Sequence, residues 1–380
     1  MTDKVGLGII GCGWGARDLY APVFKHLANG RLVACTDASR DSAEGFRVLS
    51  GAERVAGDLD DLLSDPAIDA VMVLTPPHVH AEQVAAIARA RKHVYCEKPM
   101  AKTVEQAQAM VDACRENGII LQVGFMKRFN PSFLAAKQAI DDGRLGDLFE
   151  MRAVWDNARV GAGKATNYRH LLIAGGGYLQ EDGSHPIDVC RWFLGEVAEV
   201  SAEVLRVASD RFENDDVALV MMRHRNHALS SLHITMLTHR TGMESYEVFG
   251  THGTLLMRWH YHSTHSLEPA EVRLYEHSTR TTDLTLSTSW DPEHEYIANW
   301  QYLNELRHFC DCVLEGREPG VTGEDGKATV EIVNAAYVSA LEHRKVPLPL
   351  DHSPEFEALF ADPGAHSPWD LGDQAWGSRY

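Results

Sequence analysis

The chain contains 380 residues, 44% of them hydrophobic and 24% charged, a composition ordinary for a globular protein of two domains or one large domain. Its net charge of -18 argues against a nucleic acid partner, because a phosphate-binding face needs clustered lysine and arginine. No apolar run approaches the ~20 residues that cross a membrane, and the seven scattered cysteines predict a reduced, cytoplasmic protein. The N-terminus leads directly into a predicted strand, so we expect no signal peptide.

Strands and helices alternate along the first part of the chain. The predicted strands span residues 5–10, 32–36, 69–75, 93–96 and 119–125. The predicted helices span residues 14–28, 39–49, 79–91 and 103–118, and another begins at Pro131. Thr103 and Gln106 form a capping-box pattern at one helix start. The alternation predicts a doubly wound parallel sheet in a domain of residues 1–125.

The pattern changes near residue 148, where several segments alternate apolar and polar side chains. The predicted strands span residues 149–156, 197–207, 217–223, 228–237, 246–249, 254–259, 272–275 and 282–286. The predicted helices span residues 186–194, 297–314 and 326–343. An open, mostly antiparallel sheet with one covered face explains the alternation. We predict an α+β domain of residues 126–350, followed by an extended C-terminal tail of residues 351–380.

A glycine-rich turn joins the first predicted strand to the first predicted helix. The pattern G-x-G-x-x-A is formed by Gly11, Cys12, Gly13, Trp14, Gly15 and Ala16. In such a turn the first glycine permits the tight bend, the second lets the backbone approach a pyrophosphate, and the alanine allows close helix packing. The helix N-terminus adds N–H groups and a positive dipole end. The motif by itself also fits a tight turn without a ligand.

Asp37 stands at the end of the second predicted strand, 26 residues after Gly11. Its carboxylate would accept hydrogen bonds from the adenosine ribose hydroxyls and would repel a 2′-phosphate. Ser39 and Arg40 are the nearby residues that would suit NADP. We predict NAD in preference to NADP, with Arg40 among the residues at the cofactor.

Two later segments carry candidate chemistry. Glu97, Lys98 and Pro99 follow a buried strand and would hold a lysine at the carboxyl edge of the sheet, where open α/β sheets bind ligands, although such a triplet is also common in surface loops. The segment GGGYLQEDGSHPIDVCRWFLG, residues 175–195, combines a flexible glycine run, two carboxylates and His185. A histidine can donate and accept protons near neutral pH, although at a helix start it is more often structural.

These features together resemble the glucose–fructose oxidoreductase / inositol dehydrogenase (Gfo/Idh/MocA) family, over roughly residues 4–350. The resemblance includes TPPHVHAE (75–82), GFMKRFNP (124–131) and TGEDGKATVEIVNAAYVSA (322–340). It implies a nicotinamide-binding Rossmann domain and a second domain with a large open sheet that binds substrate. It also implies oxidation or reduction of a sugar or cyclitol hydroxyl, and homo-oligomers, dimers or tetramers, formed through that sheet.

The resemblance assigns roles to individual residues. Lys98 matches the family lysine that contacts cofactor and substrate, and His185 matches its catalytic histidine. The family places an aspartate four residues before that histidine; this chain has Glu181 there with Asp182 beside it, and we favour Glu181 as the catalytic residue. The further cofactor residues are Thr75, Pro76, His80 and Glu97. The further substrate residues are Arg128, Tyr168 and Asp182.

The implied reaction is hydride transfer, with His185 as proton acceptor and Lys98 stabilising the alkoxide that forms. Two alternatives stay open. A redox-neutral NAD-dependent glycoside hydrolase would oxidise a sugar transiently, and the adjacent Glu181 and Asp182 would suit its elimination step. A regulatory protein would bind NAD without catalysis; the presence of both Lys98 and His185 argues against this alternative, since such a protein could lose them.

Two other groups of residues carry weaker signals, one for a metal site and one for a sugar-binding site. His260, His262 and His265 lie in an alternating strand and turn, and a chain with 20 histidines will contain such clusters, so we predict no metal site there. The tryptophan and tyrosine side chains between Trp290 and Tyr302 suit stacking on a sugar ring, although core packing is their commoner role.

Overall fold

The computed structural model describes residues 4–157, 176–207, 213–238, 242–261, 271–276, 280–285 and 300–356. The chain forms two compact units, one of Met1–Asn130 with Trp290–Ala328 and the other of Pro131–Ser289 with Thr329–Tyr380. Residues 290–328 thus belong with the first unit, whereas the sequence suggested one continuous domain of residues 126–350. The boundaries at 125 and 350 stay predictions, and residues 357–380 of the expected tail lie outside the described residues.

The first unit contains a parallel sheet whose described strands follow the order β3-β2-β1-β4-β5-β6. The strands are β1 (Val5–Ile10), β2 (Gly30–Thr36), β3 (Arg54–Val55), β4 (Ala70–Val73), β5 (His93–Cys96) and β6 (Leu121–Val123). The strand order reverses between β1 and β4, and ligands of such sheets bind at the carboxyl ends beside this point. The fold predicted for this part of the chain is confirmed.

Helices alternate with strands along the first unit and are also present in the second. In chain order the described helices are α1 (Ala21–Phe24), α2 (Arg40–Ser50), α3 (Leu59–Ser64), α4 (Pro77–Arg89), α5 (Val104–Glu116), α6 (Pro131–Asp141), α7 (Tyr178–Glu181), α8 (Ser184–Leu194), α9 (Trp300–Glu315) and α10 (Gly323–Glu342). Thr103 caps α5, since its Oγ1 accepts from Gln106 N at 3.3 Å, whereas Gln106 Oε1 accepts from Lys102 N at 3.2 Å, one residue before the N-cap position that a full capping box uses. The helix expected over 14–28 is instead a π-helical turn, Ala16–Tyr20, that runs into the short α1.

The second unit contains a sheet whose nine described strands follow the order β14-β13-β12-β11-β7-β10-β9-β8-β15. The strands are β7 (Leu148–Asp156), β8 (Val197–Leu205), β9 (Val217–His224), β10 (Leu229–Thr235), β11 (Gly242–Gly250), β12 (Gly253–Tyr261), β13 (Glu271–Glu276), β14 (Arg280–Asp283) and β15 (Val346–Pro347). The β7–β10 pair is parallel and its other pairs are antiparallel, which confirms the predicted mostly antiparallel sheet.

One face of this second sheet is covered and the other carries exposed apolar side chains. On β9, Val220 and Met222 are buried in one cluster with Val333 and Tyr337 of α10, whereas Met221 between them is 62% exposed. Alternation of this kind follows from the period of two along a strand. The exposed side chains on the strands of this sheet include Phe149, Leu205, Leu219, Met221, Leu229 and Tyr275.

Candidate active site

The glycine-rich turn follows β1 and passes against the end of β4. Gly11 has φ +97°, and a Cβ added there would lie 2.7 Å from the Leu74 carbonyl carbon, so only glycine fits without strain. At Gly13 and Gly15 an added Cβ would meet no atom within 4 Å, which leaves room above the turn for a ligand. Ala16 is buried in the core of the first unit. The turn therefore has the shape that pyrophosphate binding requires.

Two side chains brace this turn. The Asp37 carboxylate accepts from Cys12 N at 2.7 Å and from Ser39 N at 2.8 Å, so it ties the turn to the end of β2. Arg17 donates from Nε to Cys12 O at 3.1 Å and from Nη2 to Ser42 O at 3.0 Å. Sequence reasoning missed Arg17, whose position one residue beyond the motif was the available signal.

His80 is one of the residues predicted to line the cofactor edge. It is fully buried on α4, and its Nε2 lies 2.7 Å from Thr75 O while its Nδ1 lies 3.2 Å from Met100 O. Its ring lies between the loop after β4, which holds Thr75 and Pro76, and the loop after Lys98. Burial lowers the pKa of His80 to about 4, so the imidazole is neutral at physiological pH.

A neutral imidazole carries one N–H and can donate to only one of these two carbonyls. The Sγ atom of Cys96 lies 3.4 Å from His80 Nδ1 and can donate to it. In the arrangement that fits these two contacts, His80 Nε2–H donates to Thr75 O and the Cys96 thiol donates to Nδ1, so Met100 O accepts nothing from the ring. His80 is therefore hydrogen-bonded to the loop after β4 and only packs against the loop after Lys98.

Lys98 lies half-buried in the loop after β5, at the carboxyl end of the first sheet. Its backbone N–H donates to Glu97 Oε2 at 2.8 Å, and the Lys98–Pro99 peptide is cis. The Glu97 carboxylate also accepts a hydrogen bond from Tyr20. Glu97, expected to contact the cofactor, is thus bonded to the backbone of the residue that follows it, and we infer that it holds Lys98 in place.

Arg128, expected on the substrate side, lies buried in the 3-10 turn Met126–Phe129. Its Nη2 is 3.4 Å from Asp325 Oδ1, and Asp325 Oδ2 accepts from both the N–H and the hydroxyl of Thr322. The ion pair joins two of the segments that carry the family resemblance.

In the second unit, Glu181, Asp182 and His185 lie within one turn at the junction of α7 and α8. All three side chains are at least 95% buried. His185 N donates to Asp182 O at 3.2 Å. The imidazole of His185 stacks on the indole of Trp155, with centroids 5.6 Å apart and planes 8° apart. Trp155, which sequence reasoning missed, therefore fixes the plane of the predicted proton acceptor.

A buried carboxylate anchors the start of α7. Asp215 accepts from Gly177 N at 2.7 Å, Leu179 N at 2.8 Å and the Tyr337 hydroxyl at 2.7 Å. An added Cβ at Gly176 would lie 2.2 Å from Tyr337 Oη. The described glycines of the run predicted to be flexible, Gly176 and Gly177, are thus required for close packing. Burial raises the pKa of Asp215, against the effect of these hydrogen bonds.

Some of the remaining predicted residues lie outside the part of the chain that the structure describes, and others are exposed. Tyr168, His262 and His265 lie outside the described residues, as does most of the aromatic stretch that begins at Trp290. Trp14 and Arg40 are exposed near the glycine turn.

Among the residues that the structure describes, no group of three histidine, cysteine or acidic side chains could hold a metal ion. No helix in the same part of the chain is long and apolar enough to span a membrane.

Two family models match this chain. Residues 5–125 match the oxidoreductase family with an NAD-binding Rossmann fold, and residues 133–256 match the GFO/IDH/MocA C-terminal domain. The chain belongs to the Gfo/Idh/MocA family. The predicted family, oxidoreductase class and NAD cofactor are confirmed by these matches.

Relatives of this Gfo/Idh/MocA protein match over nearly its whole length. The myo-inositol 2-dehydrogenase of Thermotoga maritima is 28% identical over 355 residues, covering 90% of this chain and 97% of the relative. The scyllo-inositol 2-dehydrogenase (NAD(+)) of Bacillus subtilis is 28% identical, covering 87% and 91%. A levoglucosan dehydrogenase, solved in complex with NADH and levoglucosan, superimposes with a TM-score of 0.81 at 25% identity, covering 91% of this chain and 100% of that one.

Proposed function

We propose that this protein transfers a hydride between NAD and a secondary hydroxyl or ketone of a sugar, a sugar derivative or a cyclitol. The observation that carries the proposal is the match of about nine-tenths of the chain to inositol and sugar dehydrogenases. Lys98 and His185 stand where the family resemblance requires an amine and an imidazole.

The proposed cofactor site consists of the glycine turn and Asp37. Backbone N–H groups at Gly13 and Gly15, at the start of the first helical segment, suit the pyrophosphate. The Asp37 carboxylate already accepts two backbone N–H groups, and an ionised carboxylate has capacity for about four hydrogen bonds. Its remaining capacity suits the ribose hydroxyls, and its charge favours NAD over NADP. The NAD ring supplies the hydride acceptor when it is bound.

In the proposed mechanism His185 takes the proton from the reacting hydroxyl. Stacking on Trp155 holds the ring in one plane, which limits the orientations that its nitrogens can adopt. The ammonium of Lys98 stabilises the alkoxide as the proton leaves, and pre-positioned charge of this kind is worth several kcal/mol in a site that excludes water. Glu181 binds a neighbouring hydroxyl and orients His185, with Asp182 as the nearby substitute for that role.

The test is to follow NADH absorbance with a panel of inositols, sugars and glycosides. Net growth of NADH with an inositol or sugar is the expected result. A His185→Ala variant is expected to lose turnover by ~10²-fold or more while NAD affinity is unchanged, because the histidine acts on the proton and not on the cofactor. Unchanged turnover would remove His185 from the mechanism.

The adjacent buried carboxylates Glu181 and Asp182 support a second candidate function. A redox-neutral glycoside hydrolase oxidises its sugar, eliminates the aglycone, adds water and reduces the product, and the elimination needs a further base. Cleavage of a glycoside without accumulation of NADH would favour this function. Such cleavage would be absent for a simple dehydrogenase.

We also propose that the open face of the second sheet forms a homo-oligomer, dimer or tetramer. Its exposed apolar side chains, among them Met221 and Phe149, are of the kind that interfaces cover. Light scattering on the wild type and on a Met221→Glu variant tests this.

The seven cysteines all lie in described segments as free thiols, which supports a reducing, cytoplasmic location.

A further inference from the structure

Arg17 joins the glycine-rich turn to the helix that follows β2. It stands in the π-helical turn Ala16–Tyr20, one residue beyond the glycine motif, and it is half-buried. Its Nε donates to Cys12 O at 3.1 Å, and its Nη2 donates to Ser42 O at 3.0 Å in the first turn of α2. Its backbone N–H donates to Gly13 O at 3.1 Å. One residue therefore holds two successive carbonyl groups of the glycine turn.

The guanidinium of Arg17 fits against a glycine in α2. Gly45 lies inside this helix, where glycine is less favourable than alanine. A Cβ added there would lie 3.1 Å from Arg17 Nη2 and 3.6 Å from Cζ, and the first of these distances is closer than such atoms normally approach. The missing side chain of Gly45 therefore makes room for the guanidinium, which explains a residue that the helix by itself disfavours.

Cys12 is held on both sides of its Cα atom. Its N–H donates to Asp37 Oδ2 at 2.7 Å, and its carbonyl accepts from Arg17 Nε. Its thiol donates to Thr36 O at 3.4 Å. A carboxylate and a guanidinium thus fix the two peptide units that meet at Cys12, so side chains outside the glycine motif decide how the turn is oriented.

The contact with Arg17 also sets the direction of the next N–H group. The Cys12–Gly13 peptide is trans. In a planar trans peptide the C=O and the following N–H point in opposite directions. Because Cys12 O is turned towards the guanidinium, the Gly13 N–H points away from it. Gly13 is exposed, and a Cβ added there would meet no atom within 4 Å, so there is free space beside this residue.

We propose that Arg17 is a positioning residue for NAD, which acts by aiming the Gly13 N–H at the cofactor pyrophosphate and not by supplying its charge. The proposal rests on the cofactor site proposed above, in the glycine turn. Its contact with Ser42, just after Asp37 in the chain, also keeps the turn at a fixed distance from the carboxylate that suits the ribose.

Two substitutions separate the position of Arg17 from its charge. Arg17→Lys keeps a positive charge, but an ammonium carries its donors on a single nitrogen and cannot reproduce the planar fork that reaches Cys12 O and Ser42 O from different nitrogens. Arg17→Met keeps an unbranched side chain and has neither charge nor donor. If Arg17 positions the turn, both variants lose cofactor affinity. If its charge alone attracts the pyrophosphate, only Arg17→Met loses affinity.

NADH binding, followed by the fluorescence of the bound cofactor, measures the effect without using activity. Arg17→Lys and Arg17→Met are both expected to bind NADH ~10-fold more weakly than the wild type, because a misdirected N–H loses a hydrogen bond to a charged group. Arg47→Met is the matched control, since it removes a charge from α2 where Arg47 pairs with Glu44 on the helix surface. This control is expected to bind NADH as the wild type does.

The ³¹P NMR spectrum of NAD on the saturated protein is a readout that a loss of stability would not move. The two phosphorus signals of the bound cofactor report on the surroundings of the pyrophosphate. They are expected to differ from their wild-type positions in Arg17→Lys and Arg17→Met, and to keep those positions in Arg47→Met. Urea unfolding of each protein measures stability separately.

Two results overturn the proposal. If Arg17→Lys binds NADH as tightly as the wild type while Arg17→Met binds weakly, the charge of Arg17 acts and not its position. If both variants bind NADH and shift the phosphorus signals as the wild type does, Arg17 does not act on the cofactor. Should Arg17→Met fail to fold, Arg17→Lys decides alone, because weak binding by a protein that keeps the charge supports positioning and wild-type binding refutes it.

Failure of the proposed cofactor site would give a different result. Gly13→Ala adds a Cβ that meets no protein atom within 4 Å but fills space next to the pyrophosphate, so it is expected to weaken NADH binding. If Gly13→Ala binds NADH as the wild type does, the glycine turn is not the cofactor site. If Gly13→Ala binds weakly and both Arg17 variants bind normally, the site stands and only the role of Arg17 fails.

Discussion

The neutral, buried His80 predicts that acid destabilises this protein by a defined amount. Its pKa is lowered from an ordinary value of 6.5 to about 4 in the folded chain, with burial as the main cause. Above the ordinary pKa, His80 binds no proton in either the folded or the unfolded state, so its titration does not change the free energy of unfolding in that range. As pH falls below that value the unfolded chain takes up a proton that the folded chain refuses, and stability is lost until pH falls below about 4.

The size of this effect follows from the two pKa values. The full difference amounts to about 3 kcal/mol in strong acid, and about 2 kcal/mol has been lost at pH ~5. Urea unfolding of the wild type and of His80→Gln, at pH ~7.5 and pH ~5, isolates this contribution. Glutamine has no titrating group but can still donate to Thr75 O. The wild type should lose about 2 kcal/mol more than the variant on acidification.

The assigned tautomer would be refuted if acidification stabilised the wild type relative to His80→Gln. If His80 were an imidazolium that donates to both Thr75 O and Met100 O, acid would stabilise the wild type relative to His80→Gln. An equal loss in both proteins would show that His80 titrates alike in the folded and unfolded states, and the donor role of the Cys96 thiol would then be unsupported.

Three further outcomes are expected, two in the first unit and one in the second. Gly11→Ala should unfold the first unit at lower urea concentration and abolish NAD binding, because the new Cβ meets the backbone at the end of β4. Gly13→Ala should keep wild-type stability and weaken only NAD binding. Equal stability of the two variants would contradict the packing argument. Asp37→Ser should improve the ratio of NADP to NAD turnover, since the carboxylate no longer repels a 2′-phosphate, and an unchanged ratio would exclude Asp37 from cofactor choice. Asp215→Asn should lower the free energy of unfolding by about 1–3 kcal/mol, because an amide cannot accept hydrogen bonds from all three donors. The same variant should lower kcat and leave NAD affinity unchanged. A wild-type kcat would show that the start of α7 needs no anchor.

Local sequence patterns were sufficient for many of the strands and helices, although not for the π-helical turn Ala16–Tyr20, and they supplied most candidate side chains. The run at β4, the N-cap Thr103 and the alternation on β9 each depend on residues within a few positions of one another, so periodicity and caps reveal them. The candidates Lys98, Glu181 and His185 came from segments whose order resembles a known family. The roles of these three side chains stay proposals.

Only the tertiary structure decided which distant segments support those side chains. Tyr95 and Glu305 are 210 residues apart, and neither residue type nor spacing announces that they share a hydrogen bond. The same holds for Asp215 beneath Gly177, and for Trp155 stacked on His185. The sequence likewise did not show that His80, predicted at the cofactor edge, is fully buried and hydrogen-bonded to Thr75 O. A strand or helix is specified by interactions between near neighbours in the chain, whereas the burial and partners of a polar side chain depend on how segments far apart pack together.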